Sequence, residues 1–121
     1  MAIYRIAVGT VDGLNITEHF GRAKAFRIVE VNQDSDEERA LADIEVVHTD
    51  DCSHGHDLEM LEAKIQALLD WNVTAVLIAR VGPGSERMLT KNGIQVLVNE
   101  GSIKDAMVKI KQFYKRHTFD H

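Results

Sequence analysis

The chain predicts an α/β domain in the order βββαβαβα, on three observations. Short runs of β-branched residues fill its first part, at Ile3–Val8, at residues 25–31 and within residues 40–48. Apolar residues then recur at helical spacing at Leu58, Leu61, Ile65 and Leu68. After that helix, strand and helix patterns alternate, as crossover units that lay strands parallel require.

Each element follows from its residues in turn. The first strand leads into a long connection, residues 9–24, which holds Asp12-Gly13 and His19-Phe20-Gly21. In the second strand Phe26 and Ile28 alternate against Arg27 and Val29. Residues 32–38 are acidic and lack any apolar side chain, so they predict an exposed hairpin turn before a third strand that is clearest at Ile44-Glu45-Val46-Val47. Asp57 is placed to cap the first helix. Residues 74–79 form a continuous apolar run, the pattern of a strand covered on both faces. Gly82-Pro83-Gly84 breaks that run, and a short helix with Met88 and Leu89 ends at Gly93, a C′ residue. Residues 94–98 are the last strand. Ser102 and Asp105 have capping-box spacing ahead of a final helix with Ile103, Met107, Ile110 and Tyr114 on one face.

Composition sets the limits of function. With 121 residues, 45% hydrophobic and 27% charged, the chain is read as one domain, 1–121, able to bury its own core. A net charge of −5 argues against a general binder of nucleic-acid backbones. The one basic cluster, Lys109, Lys111, Lys115 and Arg116, falls on the final helix and reads as its solvated face. No apolar run nears the ~18 residues that span a bilayer, and the N-terminus has no signal-peptide organisation, so no membrane partner and a cytoplasmic setting are expected. There the single cysteine, Cys52, stays a reduced thiol.

Cys52-Ser53-His54-Gly55-His56 places a thiol and two imidazoles within five residues, a set that suits zinc, copper or iron better than calcium or magnesium. Asp50, Asp51 and His48 lie beside it, as outer acceptors or a fourth ligand. Parity brings this segment near others. If the second strand runs against its two neighbours and the crossovers keep later strands parallel, strands one, three and four end at one edge. The His19 loop, the Cys52 loop and the Gly82-Pro83-Gly84 turn then converge on one rim, where open α/β sheets hold ligands. The turn also offers a helix N-terminus to an anion, with plain structural punctuation as the alternative.

Ile6-Ala7-Val8-Gly9, Asp12-Gly13, His19-Phe20-Gly21-Arg22-Ala23 and residues 26–31 stand in an order that, with residues 75–79, Gly82-Pro83-Gly84 and Gly93-Ile94-Gln95-Val96, resembles one family. It is the dinitrogenase iron–molybdenum cofactor biosynthesis family, small domains typified by NifX and the C-terminal part of NifB. The likeness runs over roughly residues 3–110. It implies a ribonuclease H-like three-layer fold, with a five-stranded mixed sheet ordered 3-2-1-4-5 and helices on both faces. It also implies a non-catalytic protein that carries an iron–sulfur or iron–molybdenum–sulfur cluster between donor and acceptor proteins of cofactor assembly.

The resemblance makes His19 the first candidate ligand, with Gly21 admitting a bulky cluster near the backbone and Arg22 facing its negative charge. Gly82 and Gly84 join as cofactor contacts. Cys52, His54 and His56 are the second ligand group, and they equally suit a small zinc site in a regulatory or interaction domain. A hydrolase using Cys52 with a neighbouring histidine is the remaining alternative, without an evident third orienting residue. A ribonuclease H-type nuclease is disfavoured, because Ile3–Val8 and residues 74–79 contain no carboxylate to hold magnesium.

Overall fold

The computed structural model describes residues 3–23, 25–45 and 57–117. Its main sheet comprises β1 (Ile3–Val8), β3 (Ala25–Asn32), β4 (Glu38–Glu45), β5 (Ala75–Ile78) and β6 (Gln95–Val98). A small ladder joins β2 (Asn15–Ile16) to β7 (Gly101–Ser102), and α1 (Asp57–Asp70), α2 (Pro83–Lys91) and α3 (Ile103–His117) complete the chain.

The sheet order is β4-β3-β1-β5-β6. Counting main-sheet strands alone, this is the expected 3-2-1-4-5. β3 runs antiparallel to β1 and β4, whereas β1, β5 and β6 are mutually parallel. Strand alternation sends successive side chains to opposite faces and makes two cores. Ala7, Phe26, Ile28, Val76 and Ile78 meet Ile65 and Leu68 of α1 and Leu89 of α2. Tyr4, Ile6, Val8, Val31 and Leu77 meet Ala106, Met107 and Ile110 of α3 on the other face. Every residue of β5 is buried, as its unbroken apolar run requires.

The sequence-based boundaries shift at several places. β4 begins at Glu38, inside the stretch read as a turn, because Glu38 pairs with Val31 in the ladder to β3. An extra residue near Leu41 shifts that register between Ile28 and Val29. β4 is an edge strand rich in charge, which discourages pairing with a second sheet. α1 begins at Asp57 itself. Lys111 is no purely solvated lysine, since its Nζ lies 2.6 Å from Glu38 Oε2. Other readings hold. Gly93 takes φ +81° after α2, and Asp105 N–H donates to Ser102 Oγ at 3.2 Å at the start of α3. Among the described residues no helix is long and apolar enough to cross a membrane.

Candidate functional site

Because β4 runs with β1, β5 and β6, the strands end together, at Val8, Glu45, Ile78 and Val98. The connection after β1 folds back over this rim. Thr17 and Glu18 N–H groups donate to Gly9 O at 3.2 and 3.3 Å, and Ala79 N–H donates to Glu18 O at 3.0 Å. The close approach of the fold-back favours a glycine at position 9. A Cβ there would stand 3.0 Å from Glu18 Cβ and 3.1 Å from Ile78 Cγ2.

His19 bridges Arg80 as a parallel pair, and Phe20 N–H donates to Arg80 O at 2.9 Å. The His19 loop thus lies along the strand end that leads to Gly82. Phe20 anchors this loop in the core. It is fully buried, stacks obliquely on Phe26 with centroids 5.6 Å apart, and contributes roughly 1.5–3 kcal/mol by that burial. The 3₁₀ turn Phe20–Arg22 follows, with His19 as its exposed cap residue. Among the described residues the His19 imidazole makes no hydrogen bond and does not cap the turn by its side chain.

The glycines sort into two kinds. Gly13 is required by conformation, at φ +77° with Arg27 Nη1 2.8 Å from a would-be Cβ. Gly21, Gly82 and Gly84 are required by neither conformation nor packing, since a Cβ at each meets nothing within 4 Å. Gly82 caps α2 and Pro83 follows at its first turn, as expected for a strand-to-helix turn. Glu86 in that first turn already supplies negative charge and opposes an anion at the helix end.

Two residues that sequence reasoning missed hold or border this loop. Lys64 of α1 is only 3% exposed, and its Nζ donates to Phe20 O at 2.8 Å and Gly21 O at 3.2 Å. The ammonium lies 5.3 Å from the Phe20 ring centroid. Burial pushes the Lys64 pKa down to about 8. Its signal was in the sequence, for position 64 is three after Leu61 and four before Leu68, on the buried face of the helix. Arg80 is the other, an exposed cation beside His19 whose Nε is 3.7 Å from Glu100 Oε2, an exposed pair that contributes little.

The structure therefore gathers His19, Gly21, Gly82 and Gly84 along one rim. Arg22 closes the 3₁₀ turn, but its side chain lies outside the described residues. Cys52, His54 and His56 lie outside them as well, with His48, Asp50 and Asp51. Among the described residues no group of three or more His, Cys, Asp or Glu gathers to hold a metal ion.

Solved structures share the architecture. The apo form of the orange protein from Desulfovibrio gigas is 24% identical, with a TM-score of 0.63 over 93% of this chain and 90% of its own. A protein assigned as a dinitrogenase in Methanocaldococcus jannaschii is 16% identical, with a TM-score of 0.60 over 96% and 92%. One assigned to NifB in Thermotoga is 16% identical, with a TM-score of 0.54 over 90% and 88%. These identities speak to the fold alone. Among curated proteins no significant match is found. The sequence itself matches the family model described as dinitrogenase iron-molybdenum cofactor across residues 2–112, nearly its whole length. On that match the chain belongs to the dinitrogenase iron-molybdenum cofactor family.

Proposed function

We propose that this protein is a non-catalytic carrier of an iron–sulfur or iron–molybdenum–sulfur cluster, taken from one assembly protein and passed to another in the cytoplasm. One observation carries the reading. An exposed imidazole, without a hydrogen bond among the described residues, stands on a rim with Gly21, Gly82 and Gly84, whose side-chain space is open.

Among the described residues, the donors on the rim fit a cluster better than a bare ion. A structural zinc ion takes about four protein ligands. A metal–sulfur cluster brings its own sulfide, so one imidazole and open backbone on the rim suffice for a loose hold. Cys52, His54 and His56 are the remaining ligands in this proposal, and Arg22 and Arg80 offset the cluster's negative charge.

Anaerobic purification followed by iron, molybdenum, zinc and sulfide quantitation, with an absorption spectrum, tests the reading. A brown protein with iron and acid-labile sulfide is the expected result. A colourless protein with one zinc overturns it in favour of a zinc-bound interaction domain.

A further inference from the structure

We propose that Lys64 is the positioning residue of the His19 loop, holding the imidazole at the place where the cargo is taken. The inference rests on the carrier reading and names the part of the fold that makes His19 competent. Lys64 Nζ grips two consecutive carbonyls, of Phe20 and Gly21, directly after His19. On the other side of the loop Phe20 N–H is fixed to Arg80 O at 2.9 Å, and Ala23 N–H to His19 O at 3.0 Å. The backbone of residues 19–23 is thus held from the rim strand and from α1 together.

The chemistry of Lys64 is costly for a role in packing alone. Among the described residues it is the only buried charged side chain, and no carboxylate among them pairs with it. Leucine or methionine would cover Phe20 without desolvating a cation. What an aliphatic side chain cannot do is hold the two carbonyl oxygens inward. With them turned toward α1, the negative ends of those peptides face away from an anionic guest at the rim. α1 also begins at Asp57, directly after the segment with Cys52, His54 and His56. Lys64 therefore ties the element that follows one candidate ligand group to the loop that carries the other.

A double-mutant cycle tests this. Cluster is assembled anaerobically from ferrous iron and sulfide on wild type, Lys64→Met, His19→Ala and the double variant. Each is challenged with a chelator, and the concentration releasing half the iron is read. Lys64→Met is expected to lower retention about tenfold, the scale of an outer partner that orients a ligand. In the His19→Ala background, the same change is expected to cost no more than about twofold, because Lys64 acts through His19. In the cluster-free protein, Ala23 amide exchange is expected to quicken in Lys64→Met while the β5 amides keep their protection.

Full additivity, or Lys64→Met retaining cluster as wild type does, overturns the proposal. Should Lys64→Met fail to fold, Lys64→Gln, which can still donate to one carbonyl, carries the same cycle. A wild type that assembles no cluster removes the carrier reading and this inference together. A wild type that loads through His19 but ignores Lys64 removes this inference alone.

Discussion

The backbone N–H of Phe20 donates to the carbonyl of Arg80 at 2.9 Å, which fastens the turn after His19 to the strand end that becomes Gly82. Two segments some sixty residues apart in the chain thereby share one rim, through a backbone bond that substitution at His19, Gly21, Gly82 or Gly84 leaves available. Scaffold and site are thereby separate.

The rim glycines are expected to be dispensable for stability. Gly21→Ala and Gly84→Ala should shift unfolding free energy in urea by less than about 1 kcal/mol, toward stabilisation, because alanine restricts the unfolded chain. Gly13→Ala should lose more than about 1 kcal/mol, since φ there is +77°, a left-handed conformation that strains alanine. The larger Gly21→Leu, equally free of clashes in its first atom, is expected to lower cluster content on reconstitution. Unchanged content would show that no guest approaches Gly21.

Lys64 gives the stability a pH dependence of definite sign. Its folded pKa, about 8, lies below the ordinary lysine value, so between them the unfolded chain binds the extra proton. Stability should therefore rise with pH from about 8 toward about 10.5, by at most about 1.4 kcal/mol per pH unit from this group. Below pH 8 the full cost of the buried charge is present. Subtracting the pH profile of Lys64→Met isolates the slope, and the difference should flatten above and below that window.

Asp12 organises the loop that precedes His19. Its Oδ1 accepts the N–H groups of Leu14 and Asn15, both at 2.8 Å, and these bonds hold the carboxyl at about 2. A depressed carboxylate stabilises above its pKa and is lost as pH falls through it. The amide signals of Leu14 and Asn15 should accordingly titrate near pH 2 and not near 4. A midpoint at the ordinary aspartate value would mean that those bonds do not form in solution.

Much of this architecture is legible in the sequence because its strands differ in kind. The unbroken apolar run of residues 74–79 marks a buried central strand, and Phe26 and Ile28 alternating with Arg27 mark a sheet face. Parity of strand direction then suffices to bring the ends of β1, β4 and β5 to one rim. The β2–β7 ladder escapes detection because two-residue strands have no periodicity to read. The start of β4 is hidden because Glu38 and Arg39 resemble a turn, and only pairing with β3 makes them strand. Lys64 is overlooked for a different reason. Its charge suggests solvent although its helical position points inward, and what satisfies it is the backbone of a loop more than forty residues earlier.

Cargo retention in His19→Ala tests the account most directly. The His19 imidazole is exposed and makes no hydrogen bond among the described residues, so this change should leave stability within about 0.5 kcal/mol. With cluster assembled from ferrous iron and sulfide and challenged by a chelator, wild type and a His117→Ala control should hold iron equally. His19→Ala should release it at least about tenfold more readily, the scale on which even an outer partner of a metal acts. Equal retention by all three proteins would contradict the account and remove His19 from the site.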